Sequence, residues 1–211
     1  MPTALDALGG ALGGALAAGV CLNAVMFYSF GSAWLRRGAP FVPTAQRKVD
    51  AIFGQHGLLA HAGPHIRKSH MVDLGSGGGA LVRAAVRTGG FGRATGYEIN
   101  GALVAYSRAR SCLNANEHFR LQSLWEADVA DASLVFVYGV PSILHPLQQK
   151  LTQGLPAGAH VVSNAFPFPV HKDWHEVDCR WVEAGLSQGT LDDSSLVYLY
   201  RIGGHVHGST K

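Results

Sequence analysis

The stretch His70-Met71-Val72-Asp73-Leu74-Gly75-Ser76-Gly77-Gly78-Gly79 constrains this chain more than any other. A short apolar run enters a loop of glycines, and Ala80 to Arg87 then has the composition of a helix. Glycine lets the backbone of such a turn approach a ligand closely, and the helix behind it presents unpaired N–H groups. Gly75, Gly77 and Ala80 satisfy G-x-G-x-x-G/A, and Glu98 follows Gly75 by 23 residues, at the end of the next short run. An acid at that distance suits the ribose hydroxyls of an adenosine-containing ligand. Asp73, two residues before the first glycine, would repel a pyrophosphate but can serve the ammonium of a methionine moiety. The residues therefore favour S-adenosylmethionine over a dinucleotide.

The rest of the chain alternates between the two kinds of element. After the extended Pro40-Phe41-Val42-Pro43-Thr44, Thr44 is a plausible N-cap for a helix that carries Val49, Ile52 and Phe53 on one face. Gly57 to Pro64 breaks it. Strands are expected at residues 70–74, 94–98, 118–124, 133–138 and 159–164, with a closing antiparallel pair at 177–183 and 196–202. Helices are expected at 80–87, 102–112 and 143–151, the last with Leu144, Leu147 and Leu151 on one stripe. Such alternation predicts an α/β fold with a mostly parallel sheet and helices on both faces.

The N-terminus differs in kind. From Ala7 to Leu35 no charged residue occurs, with Asp6 before and Arg36-Arg37 after. A helix of about 20 residues crosses a hydrocarbon core, so the length suffices for a membrane anchor. Six glycines and Asn23 dilute its apolar character, which leaves a docked helix as the alternative. A cleaved secretory signal fits poorly, because no Lys or Arg precedes the run. The expected division is a hydrophobic segment over residues 1–37 and a catalytic domain over 38–211.

Composition narrows the classes further. Hydrophobic residues make up 47% and charged residues 15%, which excludes a disordered chain. A formal net charge of +3 is too small an excess to argue for nucleic acid as a partner. Cys21, Cys112 and Cys179 share no metal-like spacing and imply no disulfide framework, which suits a reducing compartment. Cys112 is read as a core residue of its helix. His171 and His175 stand four apart, but prolines precede them and no third ligand is evident, so they are read as solvated loop histidines and no metal is expected.

Val72-Asp73-Leu74-Gly75-Ser76-Gly77 resembles the signature loop of class I S-adenosylmethionine-dependent methyltransferases. With Pro40-Phe41-Val42-Pro43-Thr44, Gly96-Tyr97-Glu98-Ile99-Asn100, Tyr106-Ser107-Arg108, Leu124-Trp125, Gly139-Val140-Pro141 and Phe166-Pro167-Phe168-Pro169, in that order, residues 35–170 resemble one narrower family. These are the mitochondrial lysine methyltransferases that modify the adenine nucleotide translocase and the ATP synthase c subunit. The resemblance implies a Rossmann-like seven-stranded fold, S-adenosylmethionine as cofactor, and a lysine of a membrane protein as acceptor. It also implies a hydrophobic N-terminal segment and a place at the mitochondrial inner membrane. Arg36 and Arg37 on the domain side of the segment then point to the matrix. One departure is visible: Ser123 stands where the family typically has an acid before Leu-Trp.

The expected cofactor contacts are Asp73, Gly75, Ser76, Gly77, Gly79, Glu98, Ile99, Asn100, Ser123 and Leu124. Tyr138-Gly139-Val140-Pro141 follows an apolar run at the end of a strand, where α/β ligands sit, so Tyr138 and Pro141 are expected to face the reacting methyl. An equally good reading makes Pro141 simply the first residue of a helix. Thr44 is a candidate for closing the cofactor site or shaping the lysine channel. No residue is required as a general base. Two other functions stay open: a methyltransferase for a small molecule or RNA, and a nucleotide-binding module without catalysis. The absence of an Asn/Asp-Pro-Pro-Tyr tetrapeptide counts against a nucleobase amine. The oligomeric state is not legible.

Overall fold

A computed structural model describes residues 46–62, 66, 69–182 and 195–203. The elements run in the order α1 (Gln46–Phe53), β1 (His70–Leu74), α2 (Ala80–Arg87), β2 (Arg93–Glu98), α3 (Gly101–Arg110), β3 (Glu117–Leu121), β4 (Ala132–Val137), α4 (Pro141–Gly154), β5 (His160–Asn164), β6 (Trp174–Val182) and β7 (Ser195–Ile202). Short 3-10 turns occupy Leu58–Ala62, within the expected break, and Leu124–Glu126.

The strands form one seven-stranded sheet in the order β3-β2-β1-β4-β5-β7-β6. The first five are parallel, and β7 lies antiparallel to both β5 and β6. Alternation along each strand sorts side chains onto two faces. Met71, Ala94, Leu134, Phe136 and Val162 pack with α1 and α2 on one face, while Val72, Leu74, Val135 and Val161 pack with α4 on the other. The expected α/β architecture with helices on both faces is therefore the observed one.

Local chemistry explains the element ends. Asn100 caps α3 by accepting from the N–H groups of Ala102 and Leu103. Pro141 opens α4 at a position whose N–H would be unpaired in any case.

Several expectations need correction. The third strand stops at Leu121 rather than Leu124, because Ser123 accepts a bond from the Trp125 N–H and turns the chain into a 3-10 turn. The helix expected at 143–151 runs from Pro141 to Gly154. α3 ends at Arg110, so Cys112 lies in the following turn and is exposed, not a core residue. β6 starts at Trp174, so His175 belongs to a strand and not a loop. No helix among the described residues is long and apolar enough to cross a membrane. The expected anchor at residues 7–35, and Thr44 with it, lie outside the described residues.

Candidate functional site

The parallel order reverses direction between β1 and β4: β2 and β3 lie to one side of β1, β4 and β5 to the other. Ligands of open α/β sheets bind outside the carboxyl ends of the strands at such a switch point. Asp73 is the penultimate residue of β1, and Tyr138 immediately follows β4.

The glycine loop leaves β1 and is held from two sides. The N–H groups of Gly75 and Ser76 both donate to the Tyr97 carbonyl, at 2.9 and 3.0 Å. The Gly77 N–H donates to Glu98 Oε2 at 3.0 Å, and the Asn100 N–H donates to Glu98 Oε1 at 2.8 Å. Ser107 on α3 donates its hydroxyl to the Gly77 carbonyl. Gly75 has φ +87°, and a Cβ built there would meet nothing within 4 Å. That side of the loop is open space, as a cradle for a ligand requires. Gly96 differs: a Cβ there would come within 2.5 Å of Ser76 Oγ, so the close approach of loop to β2 depends on its bare Cα.

Two carboxyls dominate the electrostatics. Asp73 is only 3% exposed, and burial, followed by the charge of Glu98, pushes its carboxyl up to about 8. A cationic ligand group at that carboxyl would favour its ionised form. Beside the loop, Ser76 Oγ and Asn100 Nδ2 are buried without hydrogen-bond partners among the described residues. A cofactor with a methionine ammonium, ribose hydroxyls and an adenine amine fits this donor and acceptor set. Toward β3, Ile99, Leu121 and Trp125 are 45%, 58% and 46% exposed, an apolar lip of the kind an adenine ring would cover. Ser123 and Leu124 stand at this lip, with Ser123 Oγ engaged as a cap to Trp125.

The other expected residues divide. Tyr138 is half-buried at the end of β4, packed against the α1/α2 face of the core. Pro141 is exposed at the first position of α4, which fits its structural reading. Gly79, φ +74°, is the left-handed residue from which α2 starts.

A further group was not expected. Lys48 of α1 is completely buried, and its Nζ donates to Asn164 Oδ1 at 2.8 Å and Ser195 Oγ at 2.7 Å. The same nitrogen lies 5.4 Å from the centroid of the Tyr138 ring. The signal is present in the sequence: Lys48 precedes Ile52 by four residues and so shares its apolar stripe. A lysine is ordinarily assigned to solvent, and that habit hides it.

Comparison with known proteins identifies a family. Residues 73–178 match a family model described as the ANTKMT methyltransferase domain. The chain is similar to the Rattus norvegicus lysine N-methyltransferase of the ATP synthase c subunit, 36% identical over 179 residues, covering 82% of this chain and 77% of the relative. It is also similar to the adenine nucleotide translocase lysine N-methyltransferase of Mus musculus, at 38% identity over 64% of this chain and 56% of the relative, just over half its length. Among solved structures, an RNA methyltransferase from Salinibacter ruber in complex with S-adenosyl-L-homocysteine superposes with a TM-score of 0.58 at 28% identity. That likeness covers 81% of this chain and 99% of the other.

Proposed function

This chain belongs to the ANTKMT methyltransferase family, a class I S-adenosylmethionine-dependent protein-lysine methyltransferase, and we propose that its acceptor is a lysine of the ATP synthase c subunit or of the adenine nucleotide translocase. The observation that carries the reading is the pairing of Asp73 and Glu98 around an open glycine loop, inside the stretch that matches the family.

In this reading Asp73 holds the methionine ammonium. Glu98 retains acceptor capacity beyond its two backbone partners, because a carboxylate offers about four lone-pair sites, and it binds the ribose hydroxyls. Ile99, Leu124 and Trp125 cover the adenine, and Ser123 contacts its amine. S-adenosylmethionine supplies an already activated methyl group. The work left to the protein is alignment of the amine with that methyl and exclusion of water. A free lysine has a pKa near ~10.4, so the acceptor must shed a proton before it attacks. Passage along Tyr138 into a dry channel lowers that pKa by desolvation.

The N-terminal segment, residues 7–35, is proposed as the element that holds the domain at the mitochondrial inner membrane, facing the matrix. Tethering near membrane-embedded acceptors raises their effective concentration without any new contact. Residues 38–211 form the catalytic domain in this scheme.

The deciding experiment incubates the full chain with labelled S-adenosylmethionine and mitochondrial membrane proteins, then maps methyl groups by peptide mass spectrometry. Label on lysines of the ATP synthase c subunit or the adenine nucleotide translocase is expected. Label confined to RNA or small molecules would overturn the assignment of the acceptor.

A further inference from the structure

Asn164 is the last residue of β5 and is completely buried at the carboxyl edge of the sheet. Its Oδ1 accepts from Lys48 Nζ at 2.8 Å and from the Ser195 hydroxyl at 2.9 Å, while Ser195 Oγ accepts from Lys48 at 2.7 Å. The three side chains close a triangle. Both lone pairs of the amide oxygen are used, and Lys48, as a donor to Oδ1, decides which branch of the amide carries oxygen. The other branch, Nδ2, has no hydrogen-bond partner among the described residues. A buried amide N–H group left unpaired is destabilising, so such a group in a site calls for an oxygen from a ligand.

Topology says which ligand. The cofactor contacts lie on β1 and β2, at Asp73 and Glu98, and the lip beside β3 belongs to the adenine end. Tyr138 immediately follows β4, next to the methyl in the proposed function. β5 is one strand further from the cofactor, on the acceptor side of Tyr138. Asn164 shares the sheet face of Val162, Phe136 and Tyr138 by alternation, and Lys48 spans the distance from its amide to the Tyr138 ring. An amide nitrogen there can donate only, so it cannot receive an ammonium. It can receive the carbonyl oxygen of a peptide bond.

We propose that Asn164 is a specificity-determining residue that binds a main-chain carbonyl of the acceptor protein beside the target lysine, and that Lys48 is the positioning residue that presents its amide. The inference rests on the lysine-methyltransferase reading and deepens it: the enzyme reads the acceptor's backbone as well as its amine.

The test measures steady-state methylation of the detergent-solubilised ATP synthase c subunit and of adenine nucleotide translocase, with S-adenosylmethionine affinity and melting temperature recorded for each variant. Asn164→Asp keeps the oxygen held by Lys48 and Ser195 but replaces the donor by a second oxygen. Asn164→Leu removes both. Each is expected to raise the acceptor KM about tenfold or more with little change in kcat or cofactor affinity. Lys48→Met should raise KM in the same way, and Lys48→Arg, which still donates, should restore it. The Asn164 variants and Lys48→Arg carry the test if Lys48→Met does not fold. An unchanged acceptor KM in folded Asn164 variants overturns the inference, as does a loss of cofactor affinity with acceptor KM intact. If the wild-type chain binds S-adenosylmethionine but methylates neither protein, the lysine-acceptor reading fails and this inference with it.

Discussion

Glu98 accepts a hydrogen bond from the main-chain N–H of Gly77 at 3.0 Å, so the acid at the end of β2 clamps the loop that leaves β1. Its second oxygen accepts from the Asn100 N–H at 2.8 Å, which ties the same carboxylate to the start of α3. The residue expected to bind ribose is thus also what fixes the shape of the cradle. Cofactor affinity and loop geometry depend on one side chain.

Glu98→Ala should therefore lose more than a ligand contact. Hydrogen bonds to a charged group are worth roughly 1.5–3 kcal/mol each, and before any cofactor enters one holds the Gly77 N–H of the loop and another the Asn100 N–H at the start of α3. S-adenosylmethionine binding by isothermal titration is expected to weaken at least about tenfold, with a lowered melting temperature. Glu98→Gln, which keeps one oxygen, should lie between the two. Normal binding by Glu98→Ala would remove the ribose assignment.

Asp73 makes the site sensitive to pH. Its carboxyl titrates near 8 in the cofactor-free fold, held up first by burial and then by Glu98, against 3.8 for an ordinary aspartate. A raised acid contributes stability that is fully present below its unfolded pKa and is lost as pH rises through the folded one. The free protein should lose stability between about pH 4 and 8, and Asp73→Asn should lack that slope. Pairing with a methionine ammonium favours the carboxylate, so cofactor binding at pH 7 should release a proton. Titration calorimetry in buffers of different ionisation enthalpy measures it. Asp73→Asn should release none and transfer no methyl.

The opposite end of the sheet carries a second titrating group. His70, at the start of β1, bonds to Asp131 at 2.7 Å and to Thr95 at 2.9 Å, and Arg93 reaches the same Asp131. Burial outweighs its acidic neighbour and lowers the imidazole pKa below 6.5. A histidine kept neutral by folding is protonated first in the unfolded chain, so its contribution is lost as pH falls below about 6.5. In urea titrations at pH 7 and pH 5, His70→Gln should show a smaller loss of stability on acidification than the wild type. Cofactor affinity at pH 7 should not change, because the cluster lies at the amino ends of the strands.

Much of this is legible because the informative residues are local. The span from His70 to Arg87 reads as strand, loop and helix from the positions of its glycines, and both element boundaries agree with the structure. Glu98 stands out by its distance from Gly75. What the sequence hides depends on tertiary placement. Lys48 and Asn164 are 116 residues apart and meet only because α1 packs across the end of β5. Ser123 reads as part of a strand because Leu121 and Leu124 lie on either side of it, and its capping bond to Trp125 decides otherwise.

The N-terminal run gives a simple prediction about place. Deleting residues 1–35 should leave S-adenosylmethionine affinity unchanged, since every proposed cofactor contact lies at Asp73 or beyond. It should release the protein from membranes. Carbonate extraction that frees the full chain as readily as the truncated one would favour a docked helix over a spanning one.

The last prediction separates the two glycines that shape the cradle. At Gly75 an added methyl meets no atom within 4 Å, so Gly75→Ala is opposed mainly by the left-handed backbone at φ +87°. At Gly96 the backbone is ordinary and space is the constraint: an added Cβ falls 2.5 Å from Ser76 Oγ, 2.6 Å from Ser76 Cβ and 3.0 Å from Val82 Cγ2. Gly96→Ala must push Ser76 away, yet the N–H groups of Gly75 and Ser76 both hang from the Tyr97 carbonyl, one residue along. The displacement therefore passes directly into the loop. Cofactor affinity should fall more for Gly96→Ala than its melting temperature would suggest. Two of the three close contacts belong to the Ser76 side chain, so Gly96→Ala with Ser76→Gly should recover much of the affinity, whereas Gly75→Ala with Ser76→Gly should recover none. Residues in contact are expected to couple by about 0.5–3 kcal/mol in such a cycle. Additive effects of Gly96→Ala and Ser76→Gly on cofactor affinity would mean that the loop does not rest on β2 at this point.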